Sequence, residues 1–142
     1  MRKLLLILLL ASVRLGAQEI KLDLYYGNMA GWGSTTEAGL SFHKNGWFGT
    51  SRLAFIQSSG IGEDASNIGF NLGAGKQWNL SEHWHTGASM DVRFLDENIN
   101  DLETPLLAPS IFVGYAWEIA DYQLVLGFPY FFGVRAHFPL SI

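Results

Sequence analysis

The chain contains no cysteine. That excludes a disulfide framework, a thiolate metal site and a lipoprotein-type lipidated cysteine. Proline is scarce, with four residues in 142. Pro109, Pro129 and Pro139 fall near the ends of alternating segments and Pro105 in a polar stretch, where a missing N–H costs few ladder bonds. Basic residues are also few, nine against thirteen acidic ones. A chain with this balance is a poor partner for nucleic acid or for peripheral anchoring on anionic lipid. Beyond the first residues no apolar run approaches the ~20 residues of a membrane-spanning helix. No stretch keeps a helical period for three turns.

Two features fill the space these absences leave. The first is an export signal over residues 1–17: "MRK" is a positive start, "LLLILLLASV" is an apolar run too short to span a bilayer, and Ala17 ends a small-residue cleavage region. The mature chain then begins near Gln18, and residues 18–142 form one domain. Without Arg2, Lys3 and Arg14 it carries six basic residues against thirteen acidic ones, a net charge of about −7.

The second is a period of two that runs through almost all of the mature chain. Ile20, Leu22, Leu24 and Tyr26 alternate with Lys21, Asp23 and Tyr25. Ile68, Phe70, Leu72 and Ala74 alternate with Gly69, Asn71, Gly73 and Gly75, and Met90, Val92 and Phe94 alternate with Ser89, Asp91 and Arg93. Eight such segments are present, mostly of about ten residues, the length a tilted strand needs to cross a bilayer. The third, "FGTSRLAFIQ", also admits the opposite frame or a bulge. The second, fourth and sixth connections ("HKNG", "NLSE", "EIAD") are short, whereas the first, third and fifth ("NMAGWG", "SSGIGEDAS", "DENINDLETP") are generally longer and the seventh, near Pro129 to Phe131, is short. Short turns on one side and longer loops on the other predict an all-β, eight-stranded, antiparallel, up-and-down transmembrane β-barrel.

The aromatics follow the same scheme. Trp47, Trp78, Trp84, Trp117 and Tyr122, with Phe42, fall on the apolar face beside the short turns. Such rings prefer the headgroup level, and a circle of them is an aromatic girdle. Tyr26, Phe55, Phe94, Phe128 and Tyr130 are placed at the opposite rim, and Leu72, Met90 and Val113 near mid-membrane. The other face holds glycine, small polar residues and charges: Asp23, Glu37, Arg52, Asp91, Arg93, Glu118 and Arg135. Confined charges of both signs are expected to pair into a plug, since a barrel this narrow is filled by its own side chains.

The run "GFNLGAGKQWNLSEHWHTGASMDVRF" and the closing "LGFPYFFGVRAHF" resemble the strand–turn–strand unit and the last hairpin of the small eight-stranded outer-membrane barrels of Gram-negative bacteria, the OmpX and OmpA-barrel type. The resemblance covers the whole mature chain. It implies a monomer in the cell outer membrane, in contact with its lipids and lipopolysaccharide and inserted by the outer-membrane assembly machinery. That family commonly ends on phenylalanine, whereas this chain ends "HFPLSI", with Ile142 last and Phe138 upstream.

Some barrels of this size remodel lipid A, which needs a nucleophile and a base together at the outer leaflet. His83, His85 and Ser89 lie by a short turn, at the other end, and His137 has no serine close in sequence. His83 and His85 on one strand face would give zinc only two ligands. Asp96, Asn98 and Asn100 open like a calcium loop, but Asp101 and Leu107 stand where glycine and an acid are required. The expectation is therefore no catalytic, cofactor-binding or metal site, and a structural or surface-interaction role in which the acidic loops could meet an external protein. The alternatives are a lipid A-modifying barrel enzyme and a soluble lipocalin-like binding barrel.

Overall fold

The computed structural model describes residues 19–29, 33–60, 63–94, 106–128 and 131–140. Residues 1–18, which hold the expected export signal, residues 95–105 with Asp96, Asn98, Asn100 and Pro105, the Pro129–Tyr130 pair and the last two residues, Ser141 and Ile142, lie outside them. Eight strands follow in order: β1 (Glu19–Met29), β2 (Gly33–Lys44), β3 (Trp47–Gly60), β4 (Glu63–Asn79), β5 (Trp84–Phe94), β6 (Leu106–Ala116), β7 (Asp121–Gly127) and β8 (Phe131–Pro139). Each is antiparallel to its sequence neighbour, and β1 pairs with β8 to close the barrel.

The alternating pattern forms these strands because each separates an apolar from a polar set at every second residue. The turns at one end have local causes. Asn45 and Gly46 both take positive φ, 52° and 78°, the geometry of the tight hairpin turn that Asn-Gly favours. The β4–β5 turn is closed by Leu80 N–H donating to Trp84 O (2.8 Å) and Trp84 N–H donating to Ser81 Oγ (3.1 Å). Trp117 N–H donates to Ala120 O (2.8 Å) in the β6–β7 turn.

The opposite end differs from the sequence expectation. The β1–β2 ladder continues to the Met29–Gly33 pair and the β3–β4 ladder to Gly60–Glu63. The described residues of the "NMAGWG" and "SSGIGEDAS" connections are thus strand, and β3 and β4 reach 14 and 17 residues. Polar composition suggested loops, but beyond an apolar wall a polar strand pays no desolvation and its ladder still satisfies the backbone. The third strand keeps one frame without a bulge: Trp47, Leu53 and Phe55 point out, and Phe48, Arg52, Ala54 and Ile56 point in.

The register fixes the stagger. The row of paired residues starting at Trp47 runs through Lys76, Ala88, Ile111, Leu126, Phe132, Asn28 and Ser34, and returns to β3 at Gln57, ten residues further along. That stagger tilts the strands by about 40° and lifts such a row by about 3 Å per strand. Heights on the wall follow. Phe42, Trp47, Trp78, Trp84, Tyr115, Tyr122 and Phe138 come out within ~6 Å of one level, and Phe55, Phe94 and Phe128 about 20 Å above it. Tyr26 and Val113 depart from their sequence placement. Tyr26 comes out about 14 Å above Trp47, nearer mid-wall than the rim. Val113 shares a row with Trp78 through Thr86 and sits near the turn end.

Candidate functional site

The faces of the wall are inverted relative to a soluble barrel. Leu24, Leu53, Phe55, Met90, Ile111, Leu124, Leu126 and Phe132 are exposed on the outside, while Asp23, Glu37, Arg52, Asp91, Arg93, Asp121, Arg135 and His137 are buried inside. The two candidate surfaces are therefore the lumen and the outer belt.

Arg52 is the hub of the lumen. It projects from β3 at mid-wall height and is 1% exposed. Its Nη2 donates to Asp91 Oδ2 at 2.8 Å, and its Nε lies 3.3 Å from Glu37 Oε2 and 3.8 Å from Asp23 Oδ2. Arg93 lies above it, 3.5 Å from Glu37 and 3.9 Å from Asp91, with its guanidinium 4.7 Å from the Phe131 ring centroid. Arg135 enters from β8, and the structure places it apart from the carboxylates. Its Nη1 donates to Gln123 Oε1 at 3.4 Å, and its guanidinium sits about 6 Å from the Phe48 and Phe112 rings, within cation–π range.

Glu118 does not join this network. β6 ends at Ala116, so Glu118 falls on the β6–β7 turn and is exposed. A carboxylate at a turn tip stays hydrated at no cost. The acid that does enter from this region is Asp121, which is the first residue of β7 and points inward.

Asp121 anchors a second cluster near the turn end. His85 Nε2 lies 3.0 Å from Asp121 Oδ1, and His137 Nδ1 lies 3.5 Å from Asp121 Oδ2. Gln123 Nε2 donates to Asp121 Oδ2 at 3.2 Å. His137 Nε2, 3.6 Å from Asp23 Oδ1, links this layer to the arginines. Asp23, Glu37 and Asp91 face the guanidiniums of Arg52 and Arg93, whereas Asp121, among the described residues, meets two imidazoles and no guanidinium. His83 and His85 do not share a face, because His83 lies on the turn before β5, exposed against Tyr115, while His85 is buried.

Alternation placed Tyr25 on the inner face but missed the rest of an apolar filling of the lumen. Tyr25, Phe48, Phe112, Val125 and Phe131 point inward and pack together with Ala108. Phe48, Phe112 and Phe131 each stand beside an outward apolar residue (Trp47, Ile111 and Phe132), so alternation assigned the pair to the wall and hid the inward member. The readable signal was glycine. A Cβ at Gly27 or Gly133 would strike Tyr25, one at Gly75 would strike Phe48, one at Gly87 Phe112 and one at Gly127 Phe131. Inward glycines mark the sockets of inward rings.

Among the described residues these side chains occupy the interior from Tyr25 and Phe131 to His85 and Asp121. The purified chain in planar bilayers is expected to give no steady single-channel current. Large sustained conductance would mean that the charge clusters line a path rather than close one.

Outside, Trp47, Trp78, Trp84, Trp117 and Tyr122 are all exposed, between 41% and 68%. Trp84 meets Tyr115 edge to face at 5.1 Å, and Lys76 Nζ sits 4.8 Å over the Trp47 ring.

No protein-family model and no curated protein sequence matches the chain. Two solved structures share its fold. The solution NMR structure of the de novo designed TMB2.3 superposes with a TM-score of 0.67 at 12% identity, over 87% of this chain and 95% of that one. A second structure, described as "De novo design of transmembrane beta-barrels", gives a TM-score of 0.64 at 8% identity, over 88% of this chain and 98% of that one. The chain is thus an all-β, eight-stranded, antiparallel closed barrel similar in fold to designed transmembrane barrels.

Proposed function

We propose that the chain is a non-enzymatic outer-membrane barrel protein of a Gram-negative bacterium. In this reading it is a monomer exported through a cleaved leader, seated among outer-membrane lipids and lipopolysaccharide, with a structural or surface-interaction role through its external end. The observation that carries the reading is the inverted polarity, with apolar residues exposed around the wall and seven ionised-type side chains buried within. Water would penalise that wall, whereas hydrocarbon accepts it, provided that every backbone group is paired, as a closed barrel ensures. The short-turn end would then face the periplasm.

A lipocalin-like role is disfavoured by a lumen already filled with rings and ion pairs. A lipid-modifying enzyme would need an accessible nucleophile. Ser41 Oγ lies 3.0 Å from His43 Nε2, but Ser41 is fully buried on the inner face, out of reach of a lipid ester on the wall.

The native protein is expected to leave the cell envelope only with detergent, and to run at a different mobility in gels when unheated. Recovery of the folded chain from the soluble periplasmic fraction would sink the proposal, since about 25 Å of apolar wall cannot remain monodisperse in water.

A further inference from the structure

One part of the outer wall is concave. A shallow, largely open groove is lined on one side by Trp47, Lys76 and Trp78 and continues past Ala74, Ala88 and Ile111 to Phe128. Its floor is low because Ala74 and Ala88 stand on the outward register of β4 and β5 between much larger neighbours. The stagger of the barrel sets its course. From Trp47 and Lys76 at the girdle it climbs across β5 and β6 to Phe128 on β7's far end, a rise of about 17 Å. The groove therefore starts at headgroup level, passes the middle of the wall, which Met90 and Leu72 mark at about 11–13 Å, and ends near the opposite ring of Phe94 and Phe128.

Its lower end carries the charge. Lys44 and Lys76 are the two cross-strand partners of Trp47, one on each side. Directly paired residues hold their Cβ atoms about 5 Å apart, so both ammonium groups can reach one point beside the indole. Lys76 already lies over the Trp47 ring. Among the described side chains of the strands, these are the only charges on the outward register; the other strand charges face the lumen or lie on the inward register. On a chain so acidic overall, two lysines flanking one tryptophan at the mouth of an apolar groove form a local exception with a definite complement.

We infer that this groove holds one anionic phospholipid, its phosphate between Lys44 and Lys76 at Trp47 and an acyl chain lying over Ala74 and Ala88. The inference rests on the membrane reading above. A zwitterionic lipid fits the groove but presents its own cation beside the lysines. An acidic phospholipid answers both halves of the site.

The test uses the purified chain in vesicles of phosphatidylcholine and phosphatidylglycerol in equal parts, with one lipid at a time brominated on its acyl chains. With Trp32, Trp84 and Trp117 replaced by phenylalanine, quenching of tryptophan fluorescence reports which lipid lies against Trp47 and Trp78. Brominated phosphatidylglycerol is expected to be preferred, by roughly fivefold for each lysine. Lys44→Gln with Lys76→Gln should bring the preference to parity without loss of folding, since both positions are at the wet rim. Ala88→Phe, which fills the floor and leaves both lysines, should lower it as well. Inorganic phosphate in the buffer should leave the preference intact; erasing it would replace the lipid by a free anion. Equal quenching by the two lipids, or a preference untouched by the lysine changes, overturns the inference while the membrane reading stands. No quenching by either lipid means the chain is not in the bilayer, and both fail.

Discussion

Arg52→Met is expected to cost the barrel about 3–5 kcal/mol, the range for removing one partner from a fully buried ion network. The substitution keeps most of the side-chain volume, so the loss is electrostatic. It leaves Asp91, Glu37 and Asp23 without the guanidinium that lies within 2.8, 3.3 and 3.8 Å of them. Arg135→Met should cost distinctly less. Its guanidinium contacts Gln123 and two aromatic rings rather than a carboxylate, and a thioether packs acceptably against rings. Equilibrium urea titrations in lipid vesicles, followed by tryptophan fluorescence, measure both. Removing Arg52 and Asp91 together should cost less than the two single losses combined, because the members of one network are coupled. A harmless Arg52→Met, or a larger loss at Arg135, would mean that water reaches the hub and screens it.

The second large effect belongs to the outer wall. Arginine at Met90 or Leu72 should destabilise the barrel by about 2–4 kcal/mol, and arginine at Trp78 by about 0–1 kcal/mol, the depth dependence of a charge on a lipid-facing barrel surface. The stagger puts Met90 and Leu72 about 11–13 Å above the girdle and Val113 only about 4 Å above it. Val113→Arg should therefore fall between the two classes. The same titrations order the four variants. If all four are tolerated equally, the outer face does not meet hydrocarbon.

The contrast between Arg52 and Arg135 marks the boundary of what the sequence could disclose. Alternation tells which side of a strand a residue faces, and it put Glu37, Asp91, Arg93 and Arg135 on the inner face, with Arg52 there only in one of the two frames that the third strand admits. It says nothing about height, because height depends on the stagger accumulated around eight strands. Which carboxylate meets which guanidinium is a property of that stagger, as is the pairing of Asp121 with His85 and His137. Glu118 was misplaced by two residues of turn boundary. Phe48, Phe112 and Phe131 were hidden by apolar neighbours on the other face, and only the glycines opposite them could have revealed the rings. The girdle was legible because tryptophans beside turns share a rim whatever the tilt. Val113 and Tyr26 were not, since both sit within a strand whose offset the sequence does not carry.

The up-and-down order has a kinetic consequence. Seven of the eight strand pairings join neighbours in the chain, and the eighth joins β1 to β8, from Lys21–Pro139 to Met29–Phe131. Hairpins zip on a microsecond scale, but the last pairing must bring the two ends of the domain together and bears the loop-closure entropy of everything between them. Until it does, two strand edges offer a row of unpaired N–H and C=O groups that hydrocarbon will not tolerate. Closure of this seam is expected to be the slow step, and under the proposed membrane reading insertion and closure are concerted. A chain stalled before the seam has a ready alternative in the open edge of a second copy, so the β1–β8 junction is where the choice between a monomer and an aggregate is made.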